Sequence, residues 1–129
     1  MTKITWPRRD SILALHDEAI AEFGGQPGVL NAGSLESALA RPQNLYAYNS
    51  DVSIFELAAS LAYGLIKNHA FLDGNKRTAL LATGVFLARN GYILAPDQKD
   101  AVETIVAVAE GSINEEALAT WLKTFSRAR

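Results

Sequence analysis

The sequence predicts an all-α fold of about six helices with little or no sheet. Apolar residues recur at steps of three and four along most of the chain, which is typical of helices with one buried face. Glycine, asparagine and proline divide these stretches at short intervals. Only Tyr92–Leu94 is interpreted as a short extended piece. A length of 129 residues fits one domain, and we therefore expect a single domain over residues 1–129.

Composition excludes several classes of protein. Hydrophobic residues make up 49% of the chain and the mean hydropathy is +0.05, which suits a folded domain rather than a disordered one. The absence of cysteine excludes disulfides and thiolate metal sites. A net charge of −2 provides no overall attraction for nucleic acid, although local cationic clusters stay possible. Without a leader-like segment or a membrane-spanning stretch, we expect a cytoplasmic protein with no membrane or direct nucleic-acid partner.

The first helix is predicted over residues 11–23, and the glycine pair that follows at 24–25 ends it. His16 lies in this helix and has two interpretations. It is either a partly exposed helical histidine or a residue that lines an active-site groove. Residues 26–33 contain glycine and proline and are interpreted as a loop. We expect the segment 24–33 to form a flap near the substrate.

The second helix is predicted to be short. It covers residues 34–39, and Pro42 stops it, because proline breaks the interior of a helix. Residues 44–51 are interpreted as an aromatic and polar connection. Either the last residue of this connection or Ser53 caps a third helix that runs to about Asn68 and carries a wide apolar stripe.

The fourth helix is apolar nearly all round, which is typical of a helix at the centre of its domain. Asn75 is predicted to be its N-cap, and the helix is predicted to end near Asn90 and Gly91. Its most apolar part covers residues 78–88. Only the end that carries Asn75 is clearly polar, so this end is where we expect a site.

Two more helices are predicted in the C-terminal part. Asp97 is expected to cap a helix that runs from about Gln98 to Ala109. Ser112 and Glu115 then have the spacing of a capping box, in which each side chain pairs with the other residue's backbone N–H. The last helix would run from there to about Phe125.

The segment 69–77, between the two central helices, carries the most information about function. Backbone N–H groups at the start of a helix lack partners and attract anions. Lys76 and Arg77 fall in the first turn, where the helix dipole disfavours positive charge. Two cations at this end of a helix indicate that an anion binds there, and phosphate is the obvious candidate.

The side chains of this segment fit the transfer of a phosphorus group to a hydroxyl. His69 is suited to act as the general base. Asp73 is a hard oxygen ligand for Mg²⁺, held together with the phosphates of ATP. Phe71, between polar neighbours, is expected to anchor the loop to the core. The candidate phosphate-binding residues are Gly74, Asn75, Lys76 and Arg77.

Each of these residues also has a purely structural interpretation. His69 can be a C-terminal helix cap, and residues 73–75 can be a turn that ends in a cap. Lys76 and Arg77 can be solvated surface charges. The individual signals are weak, and their joint occurrence in one loop beside a buried helix is what favours a site.

The pattern His69-x-Phe71-x-Asp73-Gly74-Asn75-x-Arg77 resembles the signature loop of Fic-fold proteins, HPFx(D/E)GNGRxxR. Three positions depart from that signature. Ala70 replaces the usual proline, Lys76 stands where most Fic enzymes have glycine, and Leu80 stands where they have the second arginine. The last two departures are those of the Doc subfamily of toxins. The resemblance covers about residues 12–90. The other segments that resemble Doc are Leu15-His16-Asp17, Gly24-Gly25 and 34–42.

This resemblance implies an all-helical domain with the motif loop between two central helices. Most Fic proteins transfer AMP from ATP to a hydroxyl, whereas resemblance to Doc implies a kinase that phosphorylates elongation factor Tu and stops translation. The lysine at position 76 is associated with a reversed nucleotide that presents its γ-phosphate to the base. Doc toxins are neutralised by a Phd-type antitoxin, whose tail binds as a helix in a groove.

We therefore expect a toxin with serine/threonine kinase activity, with His69 as base and Asp73 holding Mg²⁺. Two alternatives stay open. An AMP transferase is favoured by Gly74, Asn75 and Arg77 but not by the residues at 76 and 80. A catalytically silent module that only binds an antitoxin would have lost His69 or Asp73, and the sequence retains both.

Overall fold

Two adjacent helices, α3 (Ile54–Lys67) and α4 (Asn75–Arg89), form the centre of the computed structural model, which describes residues 3–129. Helix α3 packs against α2 (Ala32–Tyr48), α4 and α6 (Glu115–Thr124), and α1 (Arg9–Phe23) packs against α4. The all-α prediction is confirmed. In chain order the elements are α1 (Arg9–Phe23), α2 (Ala32–Tyr48), α3 (Ile54–Lys67), α4 (Asn75–Arg89), β1 (Tyr92–Leu94), α5 (Gln98–Glu110), α6 (Glu115–Thr124) and β2 (Ser126–Ala128).

Helix α3 is the most deeply buried element, because small and apolar side chains surround it. Gly64 marks the point of closest approach to α2. A Cβ atom at this position would lie 2.8 Å from Cδ of Arg41 and 3.2 Å from Cα of Ala38. The lack of a side chain at Gly64 therefore lets the two helices approach each other, as the dense packing of a protein core requires.

Helix α2 is longer than predicted. It begins after Asn31, whose side chain accepts a hydrogen bond from Ser34 N–H, and it continues through Pro42 to Tyr48. The predictions of a short helix over 34–39 and of a connection over 44–51 are therefore wrong. Pro42 removes one helical hydrogen bond, but its ring is buried in the core. Burial of the apolar face outweighs this local loss, since tertiary packing supplies most of a helix's stability.

The C-terminal part follows the prediction in most respects. Asp97 caps α5 by accepting a hydrogen bond from Lys99 N–H, as expected. The predicted capping box of Ser112 and Glu115 is wrong, because Asn114 caps α6 instead. The extended piece 92–94 is confirmed as β1, which pairs antiparallel with the unpredicted strand β2.

Helix α4 is buried on one side only. Ala79, Ala82 and Phe86 face the core, but Leu81 is 36% exposed, so burial all round the helix is not observed. The exposed side forms one wall of an open apolar groove of about 450 Å³ between α4, β1 and α5. The groove is lined by Leu80, Leu81, Val85, Ile93, Leu94 and Ala101, among others.

No helix among residues 3–129 combines the length and the apolar character that crossing a bilayer requires. The single-domain prediction over residues 1–129 stays a prediction, and residues 1 and 2 lie outside the described part of the chain.

The end of α3 contains the one backbone outlier of the described residues. Asn68 is the C-cap, and His69 follows with φ of 54°, in the left-handed region. The position just after a helix C-cap commonly adopts this conformation, and glycine usually occupies it. A side chain with a Cβ costs about 1 kcal/mol or more there. His69 therefore occupies a position that glycine would fill at lower conformational cost.

Replacing His69 tests this backbone strain without any assumption about activity. We expect His69→Gly to be more stable than His69→Ala by about 1 kcal/mol, because only glycine adopts positive φ freely. The measurement is the free energy of unfolding in urea. Leu72, an exposed residue of the same loop with no positive φ, is the matched control. At Leu72 the order should reverse, with alanine more stable than glycine. An alanine variant at 69 that equals the glycine variant would contradict the strain.

Candidate active site

The candidate site is the loop between α3 and α4, and its side chains alternate between core and solvent. Ala70 and Phe71 are buried, and Phe71 is only 1% exposed. His69 and Asp73, the predicted base and metal ligand, are exposed. The loop therefore inserts a large aromatic side chain into the core and leaves two polar side chains on its outer surface.

Asn75 closes this loop through its side chain. Its Oδ1 accepts a hydrogen bond from Phe71 N–H at 3.0 Å, and its Nδ2 donates to the Phe71 carbonyl at 2.9 Å. The amide is buried. The prediction that Asn75 caps α4 is wrong, because Gly74 is the N-cap and Asn75 is the first helical residue. Since this side chain is buried and bonded within the loop, the backbone N–H of Asn75 is the donor that faces the start of α4.

The start of α4 has backbone N–H groups without hydrogen-bond partners inside the helix. The first helical hydrogen bond runs from Thr78 N–H to the Gly74 carbonyl at 2.9 Å. The N–H groups of Asn75, Lys76 and Arg77 precede it and have no partner within the helix. Gly74 adopts φ of 75°, which turns the chain sharply into α4. Three N–H groups and the positive end of the helix dipole thus point away from α4 together.

The two cations of the first turn are not neutralised by carboxylates. Lys76 and Arg77 are exposed, and no ion pair within residues 3–129 includes either of them. The guanidinium carbon of Arg77 lies 3.8 Å from the ring centroid of Phe23, at the end of α1. This cation–π contact holds the guanidinium beside the helix start without reducing its charge. Both cations therefore stay available to an anion.

The carboxylate of Asp73 is held by backbone groups on two sides. Oδ1 accepts a hydrogen bond from Gly74 N–H at 2.8 Å, and Oδ2 accepts one from Gln26 N–H at 3.3 Å. Gly25 lies directly against it, since a Cβ atom there would be 2.7 Å from Oδ2. The sequence interpretation placed Gly25 at the end of α1 and in the 24–33 flap, but it assigned no contact with Asp73. One glycine is enough to end a helix. The second glycine was therefore the signal in the sequence that Gly25 has a further role.

The flap predicted at 24–33 lies beside the motif loop. Leu30 N–H donates to the Ala70 carbonyl at 2.8 Å, and Leu72 N–H donates to the Gly28 carbonyl at 3.2 Å. These bonds form an isolated antiparallel bridge between Val29 and Phe71. The flap is therefore tied to the loop through the backbone, and the side chains of Val29 and Leu30 stay exposed around it.

His16 belongs to the site, although it is far away in the sequence. Its ring is 2% exposed and stacks on Phe71 with centroids 3.8 Å apart and planes 9° apart. Its Nε2 lies 2.8 Å from the Asp73 carbonyl oxygen. The interpretation of His16 as a partly exposed histidine is wrong. The signal was its spacing, since it shares the helix face of Ile12 and Ala19, which are both buried.

A divalent cation would find one carboxylate at this site. Among residues 3–129, no group of three or more histidine and acidic side chains has the geometry of a metal site. The two oxygens of Asp73 each accept one hydrogen bond and retain further lone pairs. Mg²⁺ usually binds proteins through one or two carboxylates and completes its shell with phosphate oxygens and water. The residues present therefore fit Mg²⁺ that arrives with a nucleotide.

Comparison with known proteins agrees with this geometry. A model of the Fic/DOC family matches residues 6–87. "Protein kinase doc" of Escherichia phage P1 is 34% identical over 114 residues, which cover 88% of this chain and 90% of that protein. "Toxin Doc" of Mycolicibacterium smegmatis is 38% identical over 109 residues, which cover 82% of this chain and 84% of that protein. With its motif loop held between α3 and α4, the chain belongs to the Fic/DOC family.

Proposed function

We propose that this chain is a toxin with protein serine/threonine kinase activity that phosphorylates elongation factor Tu and blocks translation. One observation carries the proposal. The exposed His69 and an anion-binding helix start are joined by one short loop, and that helix start carries Lys76 where AMP-transferring relatives have glycine. The names of the relatives, a protein kinase and a toxin, support the same assignment. ATP and a hydroxyl-bearing protein of the cytoplasm would then be the substrates.

In the proposed reaction, His69 removes the proton from the target hydroxyl. The hydroxyl oxygen attacks the γ-phosphorus, a new O–P bond forms, and the bond between the γ-phosphorus and the bridging oxygen breaks. ADP leaves, and the imidazole later gives its proton to solvent. A base at the rim of the loop suits this step, because the target is a large protein that must reach it from outside.

The remaining residues bind and orient the phosphates. The N–H groups at the start of α4 donate hydrogen bonds, and Lys76 and Arg77 contribute positive charge at the same end. Asp73 would hold Mg²⁺, which neutralises phosphate charge when it is bound. The backbone contacts of Asp73 with Gly74 and Gln26 fix its carboxylate before the nucleotide arrives. Such preorganisation lowers the cost of binding and of reaction.

AMP transfer is the alternative reaction at the same loop. Gly74, Asn75 and Arg77 are compatible with it. Lys76 and Leu80 count against it, because a lysine partly fills the space of the glycine and leucine offers no contact to a phosphate. A silent binding module is a further alternative, but it leaves the retained His69 unexplained.

The partner we propose is a Phd-type antitoxin that binds as an amphipathic helix in the apolar groove beside α4. The lining of this groove is largely apolar, as a helix-in-groove contact requires. Leu81 is one of the α4 residues that line it, and its side chain is exposed. The groove lies on the same helix whose start forms the candidate site, so one partner could cover both.

Labelled nucleotide distinguishes the two reactions. The protein is incubated with elongation factor Tu, Mg²⁺ and ATP carrying label at either the γ- or the α-phosphate. We expect label to reach the target only from γ-labelled ATP, because the terminal phosphate is transferred. Transfer from α-labelled ATP would show AMP transfer, and transfer from neither would contradict the proposed phosphorylation of elongation factor Tu. A protein that also binds no nucleotide by calorimetry would be the silent binding module. His69→Ala should lower the rate at least a hundredfold, at the low end of what a general base contributes. Leu72→Ala, on the same exposed loop, should retain activity.

A charge placed in the groove tests the partner. We expect Leu81→Asp to weaken binding of a Phd-type antitoxin at least tenfold, because the carboxylate would be buried against apolar side chains. Tyr48→Asp is the control, since Tyr48 is 91% exposed at the end of α2 and does not line the groove. Titration calorimetry with each variant gives both affinities. Equal affinities for the two variants would place the antitoxin elsewhere.

A further inference from the structure

We infer that His16 is a positioning residue, which orients the carboxylate of Asp73 through the peptide bond between Asp73 and Gly74. The inference concerns a buried imidazole that the proposed reaction does not use. His16 lies in α1, 57 residues before Asp73, and its Nε2 approaches the Asp73 carbonyl oxygen at 2.8 Å. Its catalytic meaning rests on the proposed function, whereas its effect on the loop does not.

The first step is the direction of the hydrogen bond. A carbonyl oxygen can only accept, so Nε2 of His16 must carry a hydrogen and donate it. The ring is held in the orientation this needs by its parallel stack on Phe71. Phe71 is in turn fixed by the two hydrogen bonds of Asn75. The donor is therefore built into the core beneath the loop.

The second step is the planarity of the peptide bond. In a trans peptide the carbonyl and the following N–H point in opposite directions in one plane. When His16 fixes the Asp73 carbonyl, the N–H of Gly74 is fixed on the opposite side. That N–H donates to Oδ1 of Asp73 at 2.8 Å. Because the peptide group between Asp73 and Gly74 is rigid, the imidazole of His16 determines where Oδ1 of Asp73 lies.

The third step is the other carboxylate oxygen. Gln26 N–H approaches Oδ2 at 3.3 Å, and Gly25 leaves no room for a side chain there. The segment that holds Gly25 and Gln26 directly follows α1, the helix that carries His16. Both oxygens of Asp73 are therefore positioned from the same part of the chain, one through the buried face of α1 and one through the segment after it.

Packing alone does not require a histidine at this position. Phenylalanine would preserve a stack on Phe71 and would avoid burying a polar ring, which costs free energy unless it is hydrogen-bonded. What phenylalanine lacks is the donor to the Asp73 carbonyl. Glutamine has the opposite properties, since its side-chain N–H can reach about the position of Nε2 but offers no aromatic stack. Comparing these two substitutions therefore distinguishes the effect of losing the hydrogen bond from the effect of losing the aromatic stack.

The test compares His16→Phe with His16→Gln in the full chain without nucleotide and then with Mg²⁺ and ATP. The first readout is the amide proton resonance of Gly74 by NMR, which reports its hydrogen bond to the carboxylate. We expect this resonance to shift in His16→Phe and to stay near its native position in His16→Gln. A native resonance in His16→Phe, or equal shifts in both variants, would overturn the positioning role.

The second readout is function. We expect His16→Phe to lower the rate of phosphate transfer at saturating ATP about tenfold or more, and His16→Gln to restore most of it, because small misplacements of a positioned group are costly. Calorimetry should show weaker binding of Mg²⁺ with ATP in His16→Phe, while binding of ATP without Mg²⁺ should change less than threefold. Equal losses in both variants, or weakening that does not depend on Mg²⁺, would overturn the link to Asp73.

The two readouts separate this inference from the proposed function. If the native protein transfers no phosphate at all, the kinase proposal fails, but the Gly74 resonance still decides whether His16 positions the loop. Should His16→Phe fail to fold, His16→Gln remains informative, because retained transfer with a native Gly74 resonance requires the donor alone. Loss of that resonance in a folded His16→Gln would count against the inference.

Discussion

The side-chain amide of Asn75 closes the loop between α3 and α4, and the other contacts of the candidate site are built on that closure. Its two hydrogen bonds satisfy both backbone groups of Phe71, which is buried. Each such bond contributes about 1 kcal/mol net, but an unpaired buried group would cost about 1–3 kcal/mol. The loop is therefore held in one conformation by the penalty of leaving these groups unpaired more than by the strength of the bonds.

The closed loop has two sides. One side packs on the core, and the other carries the exposed side chains of the candidate site. Beneath it, Phe71 stacks on His16, and the carbonyl of Asp73 receives the imidazole donor. Above it, His69 and Asp73 face solvent, beside a helix start with free N–H groups. The positive φ of His69 fits this division, because a conformation that favours glycine is adopted at the position of the proposed base.

Much of the helical architecture could be predicted, because periodicity and caps are local properties. Helices α1 and α3 followed from apolar spacing, α4 from its nearly continuous apolar run, and α5 from the cap at Asp97. The extension of α2 through Pro42 could not, since it depends on packing against α3, which local propensity does not contain. Strand β2 was missed for a similar reason. Three residues that include Arg127 carry no strand signal and become a strand only by pairing with β1.

The sequence predicted which segment of the chain forms the candidate site. It did not predict which distant residues contact that segment. His69, Asp73, Lys76 and Arg77 stand together in the chain, so the sequence alone was enough to make them candidates. The supporting residues, His16 and Gly25, come from a distant helix and its end, and only the fold brings them to Asp73. Asn75 was expected to cap α4, but its side chain instead bonds to the backbone of Phe71, four residues earlier in the same loop.

The proposal that this prebuilt loop presents a terminal phosphate to a base is tested most directly by a crystal structure with Mg²⁺ and a non-hydrolysable ATP analogue. The distances from the His69 imidazole to the α- and γ-phosphorus atoms are the measurement. We expect the γ-phosphorus to lie nearer, with phosphate oxygens on the N–H groups of residues 75–77. A nucleotide with its α-phosphorus nearest to His69, or one bound away from the start of α4, would contradict the proposal that this loop transfers the γ-phosphate.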